Sequence, residues 1–274
     1  MSDSYYELID PADPLGERFR ATDMVRSTWS SHIQHGGPVS ALLVRAMERC
    51  ERRPDTRLSR VVVDLLGGVP ADGDLWVTAT LERGGKQIEL VSAVLHGQGL
   101  DGAARPVARA SGWRFQTLDT AALVADPVPP LPPRERGLNR NLAEKFDRNY
   151  VHSTEWLWLT KPMAPGAGES WIRPIVDLVK GEAMTPMQRL FSIADCANGI
   201  GSRIDITRYT FLNTDLTVHV HRVPVGEWVG IRSETRYGPD GVATTVGTLF
   251  DDDGAVGVIQ QAVLVRPRPR PPTA

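Results

Sequence analysis

The same order of predicted elements occurs twice along this chain, once on each side of a proline-rich segment. Each half opens with an apolar run of helical periodicity and continues with four strand-forming runs separated by turn residues. The predicted helices cover residues 39–50 and a run that begins at Thr185 and Pro186 and stops near Gly199. The predicted strands are 58–66, 75–82, 88–96 and 107–115 in the first half, and 210–222, 228–237, 244–250 and 256–265 in the second. The repeat favours two similar units, because each unit must bury the apolar face of its own helix.

Residues 126–133 separate the two halves. This segment contains five prolines in eight residues, and proline lacks the N–H that a helix interior or a central strand requires. We therefore predict an extended connector here. The predicted division is a first unit at 1–118, a Pro-rich linker and connecting segment at 119–168, a second unit at 169–266 and a Pro/Arg tail at 267–274.

Local detail repeats as well. Residues 58–70 overlay residues 212–224 without a gap, and both segments end in Val-Pro. Each is followed by a glycine, an acidic residue and a tryptophan, which is Trp76 in the first half and Trp228 in the second. Tandem duplication explains this order better than chance does. A long helix followed by antiparallel strands lies across one face of a curved sheet, and two such sheets can pair edge to edge. The predicted fold class is α+β, in the arrangement called a double hotdog.

Composition excludes several classes of protein. The chain has 31 Lys and Arg against 33 Asp and Glu, for a net charge of −2, which argues against a nucleic-acid-binding or polybasic membrane-binding role. Its two cysteines, Cys50 and Cys196, cannot form a disulfide scaffold and suit a reducing compartment. Residues 1–10 have neither the basic nor the apolar region of a signal peptide. We expect a soluble, cytoplasmic protein with no membrane partner.

Three motif matches lack the context that their chemistry needs. The run His35-Gly-Gly-Pro resembles the oxyanion loop of serine hydrolases, but the chain has no Gly-x-Ser-x-Gly nucleophile elbow. Residues 97–102 match a dinucleotide-binding pattern, but no helix is predicted after them. His219 and His221 share one face of a strand, and no third metal ligand is identifiable, so we predict no metal site.

Polar residues at positions where apolar ones are expected are the better candidates for chemistry. Asp195 lies within the second helical run among small residues, which suits a tightly packed helix with one functional acid, although a solvated helix face is the alternative. Gln260 and Gln261 interrupt the last strand, and alternation requires one of them to face inward and find a partner. Asn213 and Thr214 open a strand, where a role in a turn is the alternative.

With these residues the chain resembles the type II acyl-CoA thioesterases, which are double-hotdog hydrolases. The resemblance spans about residues 29–265 and is most specific at 191–195, at 213–222 with 226–228, and at 257–260. In that family an Asp on the second hotdog helix, a Thr or Ser on the following strand and a Gln on the last strand position a water. The resemblance implies catalytic roles for Asp195 and Gln260. The hydroxyl position falls on Asn213, with Thr214 as the substitute, which is a departure from the family pattern.

The resemblance also implies a reaction and a set of partners. The reaction is hydrolysis of an acyl-CoA thioester to a free acid and CoA, with Asp195 as general base and the two amides holding the water. The first helix lines the same region, which makes His35, Gly36 and Gly37 candidate substrate-binding residues. CoA is then part of the substrate and arginines bind its phosphates. No cofactor or metal is expected, and a homodimer or higher homo-oligomer is expected by analogy.

Two other functions remain open for the same fold. One is a non-catalytic acyl-thioester-binding or pathway accessory protein, since the family hydroxyl is replaced here. The other is a hotdog hydratase or dehydratase. Hydratases of this fold carry an Asp-x-Asn-x-x-His run, and in this chain no histidine follows Asp195 and Asn198 at that spacing.

Overall fold

The computed structural model describes residues 3–99, 102–139 and 149–268. The first half contains one long helix and six strands. They are β1 (Ser4–Asp10), β2 (Glu17–Ala21), α1 (Gly36–Arg49), β3 (Thr56–Leu65), β4 (Asp74–Arg83), β5 (Ile88–Gln98) and β6 (Ala104–Gln116). The structure confirms the predicted helix as α1 and the four predicted strands as β3 to β6. The strands β1 and β2 were not predicted.

The second half repeats this order with additional elements before its main helix. Its elements are α2 (Asn149–His152), β7 (Thr154–Trp158), β8 (Gly168–Pro174), β9 (Asp177–Val179), α3 (Pro186–Ala194), α4 (Ala197–Ile200), β10 (Tyr209–Asn213), β11 (Asp215–Val220), β12 (Val229–Tyr237), β13 (Val242–Asp251) and β14 (Gly254–Pro267). Two predicted elements are each divided: the helix ends at Ala194 and resumes as α4, and the strand at 210–222 breaks at Thr214. None of the helices within the described residues is long and apolar enough to cross a membrane.

The fourteen strands of the described residues form one sheet, in which β3 of the first half pairs antiparallel with β11 of the second. The expected edge-to-edge pairing is thus present. Val61 lies opposite Val218, and Asp64 lies opposite Asp215. In the gap-free sequence overlay, Val61 corresponds to Asp215 and Asp64 corresponds to Val218. Exchange of the two halves therefore converts the Val61–Val218 pair into the Asp64–Asp215 pair. A quasi-twofold axis between the units requires this register.

The two halves also exchange edge elements. The short β9 pairs parallel with β1, so a segment of the second half completes the edge of the first. The predicted connecting segment contributes β7, which pairs with β8. Residues 126–133 form neither helix nor strand and are held on the sheet by Trp171, whose indole N–H donates to the carbonyl of Pro132 at 2.8 Å. The four-segment division stays a prediction; residues 100–101 of the predicted hairpin loop and 269–274 of the tail lie outside the described residues.

The two long helices pack against each other in antiparallel orientation, on the apolar core that both halves share. At one end, the start of α1 meets the end of α3 so closely that a Cβ on Gly37 would overlap the backbone carbonyl of Ser192. At the other end, the Thr185 hydroxyl at the start of α3 donates to the Glu48 carboxylate near the end of α1, at 2.9 Å. Each end of the helix pair therefore combines residues from both halves.

At the Glu48 end, the polar groups are paired with one another. Gln188 Nε2 donates to the Glu48 carboxylate at 2.7 Å. Burial raises the pKa of Glu48, although these hydrogen bonds oppose the effect. Arg45 is only 1% exposed, and its guanidinium binds the carboxylates of Glu17 and Glu182 at 2.7 and 2.8 Å. Two sets of hydrogen bonds and ion pairs, one around Glu48 and one around Arg45, thus close this end of the helix pair.

Candidate active site

A cavity of about 240 Å³ lies at the opposite end of the helix pair, where the start of α1 meets the end of α3. Both halves of the chain contribute to its wall. The first half supplies His35, Gly36 and Trp29, and the second supplies Asp195, Asn198 and Asn213. Apolar side chains complete the lining, among them Ile33, Leu65, Val69, Leu212 and Leu264. The cavity combines an apolar surface with a few convergent polar groups, as small-molecule sites commonly do.

Asp195 is the buried acid of this cavity. It is the residue at which α3 ends, and it is 4% exposed. Its Oδ1 accepts a hydrogen bond from Asn213 Nδ2 at 2.7 Å, and its Oδ2 lies 3.2 Å from His35 Nδ1. A Cβ on Gly36 would lie 2.7 Å from both carboxylate oxygens, so only glycine lets the start of α1 approach this closely. The alternative of a solvated helix face is therefore excluded.

Asn213 contacts Asp195 as the last residue of β10. Its Oδ1 accepts from Asn198 Nδ2 at 3.3 Å, while its Nδ2 faces the Asp195 carboxylate. The Asn198 contact thus fixes which side of the Asn213 amide faces the acid. Thr214 follows in the break between β10 and β11, where it is exposed and lines the cavity. The structure brings Asn213, and not Thr214, into hydrogen-bonding contact with Asp195.

The glutamine nearest to Asp195 is Gln261, one residue after the predicted one. Gln260 is exposed on the outer face of β14, whereas Gln261 is 1% exposed. Gln261 Nε2 donates to the backbone carbonyl of Asp195 at 3.3 Å, and its Oε1 has no hydrogen-bond partner among the described residues. The predicted placement of Gln260 is corrected: successive side chains of a strand face opposite sides, and the inward side here belongs to Gln261.

His35 lies at the start of α1, where its Nδ1 is 3.1 Å from the backbone nitrogen of Gly37. The imidazole stacks on the Tyr150 ring, with centroids 3.7 Å apart and an interplanar angle of 6°. The Tyr150 hydroxyl donates to the carbonyl of Ser192 at 2.7 Å and contacts Cys196 Sγ. Tyr150 was not predicted as a site residue, since no pattern around it links it to either helix.

Burial sets the protonation of the groups around Asp195. It lowers the pKa of His35, although the Asp195 charge opposes the effect. It raises the pKa values of Tyr150 and Cys196 well above their ordinary range. His35 is therefore neutral at pH 7, and the phenol and thiol stay protonated. Across the described residues, no three His, Cys, Asp or Glu side chains are grouped as metal ligands.

Comparisons with known proteins identify the family of both halves of the chain. Residues 25–115 match the family model of the acyl-CoA thioesterase N-terminal domain, and residues 124–265 match that of the C-terminal domain. A search of curated proteins found no match.

Several solved structures are similar over nearly their whole length. A conserved protein with a hot dog fold from Alicyclobacillus acidocaldarius is 11% identical, with a TM-score of 0.72 and coverage of 92% of this chain and 94% of that one. The acyl-CoA thioesterase II TesB2 of Mycobacterium marinum is 16% identical, with a TM-score of 0.66 and 97% of both chains covered. The tesB protein of Mycobacterium avium subsp. paratuberculosis is 14% identical, with a TM-score of 0.65 and coverage of 93% and 95%.

These structures show the α+β double-hotdog fold. The two domain matches together span most of the chain, in the order that the repeated elements predict. The chain therefore belongs to the type II acyl-CoA thioesterase-like family.

Proposed function

We propose that this protein hydrolyses acyl-CoA thioesters to a free acid and coenzyme A at the cavity that contains Asp195. The observation that carries the proposal is a buried carboxylate whose two oxygens face an amide donor and an imidazole, in a chain of the thioesterase family. No metal or cofactor enters this reaction scheme. Coenzyme A takes part only as the leaving group of the substrate.

The residues of the cavity supply what thioester hydrolysis needs. Asp195 and the His35 imidazole beside it form the basic pair that removes a proton from the attacking water. Asn213 holds the carboxylate in one rotation by donating to its Oδ1, which limits the geometry of attack. Gln261 supports the Asp195 backbone, because its Nε2 donates to the carbonyl of Asp195. The backbone N–H groups at the start of α1 carry partial positive charge and stabilise the oxyanion that forms on the thioester carbonyl.

The direct test measures free-thiol release by the wild-type protein from a panel of acyl-CoAs, from short to long. Release that peaks at one chain length is expected, because the apolar part of the cavity wall has a fixed extent. Tight binding without thiol release over hours would overturn the hydrolase proposal and favour the non-catalytic binding protein.

The glutamine correction leads to a paired prediction. Gln261→Ala is expected to lower kcat about 10- to 100-fold, because it removes the hydrogen bond that supports the Asp195 backbone. Gln260→Ala is the matched control and should stay within about twofold of wild type, because its side chain is on the exposed face. Initial rates of thiol release by the two variants are compared. Loss of activity in Gln260→Ala alone would contradict the assignment of Gln261 as the inward glutamine.

Positive charge beside the cavity suits the phosphates of coenzyme A. The Arg268 guanidinium lies over the ring of Trp29, 5.5 Å from its centroid, and Trp29 lines the cavity. The Arg268 backbone N–H donates to the carbonyl of Arg208, which brings a second arginine next to the first. Arg268 forms no ion pair within the described residues, and its buried Nε has no partner. An unpaired guanidinium at this position is a donor for a phosphate group.

Arg268→Ala is expected to raise KM for acyl-CoA about tenfold, which corresponds to one charge-assisted hydrogen bond. The same variant should leave KM unchanged for an acyl-N-acetylcysteamine thioester, which lacks the phosphates. Arg236→Ala, at an exposed position of β12, is the control for a general loss of positive charge. Equal KM increases with both substrates would show that Arg268 supports the fold and not the phosphates.

One observation favours a second candidate function. The hydratase interpretation lacked a histidine after Asn198, yet the structure brings His35 from the other half to 3.2 Å from Asp195. A carboxylate and an imidazole could add water to an enoyl thioester or remove it from a hydroxyacyl thioester. Absorbance loss from crotonyl-CoA that exceeds thiol release would replace the hydrolase by the hydratase.

A further inference from the structure

His35 and Asp195 come from different halves of the chain and meet across the helix pair. His35 Nδ1 lies 3.2 Å from Asp195 Oδ2 and 3.1 Å from the backbone nitrogen of Gly37. This one nitrogen cannot serve both neighbours. With a lone pair it accepts from the Gly37 N–H, and with a proton it donates to the carboxylate.

Charge decides between the two arrangements. A lone pair on Nδ1 facing an ionised carboxylate is repulsive, whereas an N–H facing it forms a charge-assisted hydrogen bond, roughly twice as strong as a neutral one. The Gly37 N–H points at Nδ1 and belongs to the first turn of α1, so a proton on Nδ1 leaves it without an acceptor in the helix. A proton on Nδ1 that is donated to Asp195 leaves the lone pair of the neutral ring on Nε2.

The surroundings of the ring leave Nε2 available. It makes no hydrogen bond within the described residues and is not buried, and His35 lines the cavity. The ring plane is fixed by the parallel Tyr150 ring, which is itself anchored on Ser192. The titratable groups around the imidazole are Asp195, Tyr150 and, behind Tyr150, Cys196. The last two stay protonated near neutral pH, because burial raises their pKa values.

We propose that His35 is a catalytic residue, with Asp195 orienting its imidazole and Nε2 taking the proton from the attacking water. The proposal rests on the proposed hydrolase function and deepens it. As the water oxygen bonds to the thioester carbon, one of its protons moves to Nε2 and the carbonyl becomes an oxyanion. The imidazolium is stabilised by Asp195. When the C–S bond breaks, the proton passes from Nε2 to the sulfur, which gives the free acid and the thiol.

The arrangement is tested without turnover by nitrogen NMR of the His35 ring. The wild-type protein should show a proton on Nδ1 and a lone pair on Nε2 at neutral pH. In Asp195→Asn the proton should move to Nε2, because Nδ1 is then free to accept from Gly37. A wild-type ring protonated on Nε2 would overturn the proposal, whatever the activity of the protein.

The catalytic role is tested with His35→Asn, because asparagine is a favourable residue at the N-cap position of α1. Loss of kcat of about 10²- to 10⁴-fold is expected. In wild type, kcat/KM should fall as the pH drops through the pKa of His35, which burial lowers from its ordinary value, and the variant should lack this acidic limb. Activity within about threefold of wild type with the limb retained would assign the proton to Asp195 itself. Absence of thiol release by the wild-type protein would refute the proposed hydrolysis. The NMR result would then show separately whether His35 donates to Asp195.

Discussion

Replacement of Asp195 by asparagine is expected to lower kcat/KM for thioester hydrolysis by about 10²- to 10⁴-fold. The change keeps the shape of the side chain but removes its charge. It also places a second amide beside Asn213, whose Nδ2 donates to Asp195 Oδ1 in the wild-type protein. The imidazole of His35 loses its anionic partner as well. Free-thiol release from the preferred acyl-CoA measures the effect.

The control for this experiment is Asp240→Asn, at an exposed position between β12 and β13. It makes the same chemical change and should leave kcat/KM within about twofold of wild type. Thermal unfolding of both variants separates loss of chemistry from loss of fold. Unchanged thiol release in Asp195→Asn would show that the assigned mechanism is wrong.

A large effect on stability is expected at Gly37. A Cβ at this position would overlap the backbone carbonyl of Ser192 and lie 3.1 Å from the Tyr150 hydroxyl. The obstructing oxygen belongs to the α3 backbone and cannot rotate away, so α1 and α3 must separate. Gly37→Ala is therefore expected to lower the free energy of unfolding by about 1–3 kcal/mol, as measured by the shift in denaturant midpoint.

Gly199 provides the matched control. It lies in α4 and is exposed, and a Cβ there would meet no atom within 4 Å. Gly199→Ala should leave the free energy of unfolding unchanged or raise it by up to about 1 kcal/mol, because alanine favours helix. If Gly37→Ala were as stable as Gly199→Ala, close packing of the two helices would not explain the glycine at position 37.

The periodic elements of this fold are predictable from the sequence, because each carries its own apolar pattern. Strands that form only by pairing with a distant strand are not predictable in this way. β9 has three residues and forms by pairing with β1, far away in the sequence. The helix end at Asp195 and the strand break at Thr214 are likewise invisible, because the residues around them continue the local pattern.

The candidate site, like the fold, is predictable from the sequence only in part. The types of its main residues identify Asp195, Asn213 and His35 as candidates, and the structure places all three together. Alternation shows that one of Gln260 and Gln261 faces inward but not which one, since that depends on register with the neighbouring strands. The pairing of His35 with Asp195 depends on how two helices cross, so a search for a histidine near the acid in sequence misses it.

The helix pair has two ends, and they correspond to each other under the repeat. Counted from the first residue before each helix, Arg45 stands where Asp195 stands, and Glu48 stands where Asn198 stands. One end remains open to a cavity, and at the other the same positions are occupied by mutually paired Glu48, Thr185 and Gln188. The repeat thus gives the helix pair two equivalent ends: one contains the proposed active site, and the other is closed by hydrogen bonds. Each half of the chain therefore contributes one end of its helix to the proposed active site and the other end to the closed network.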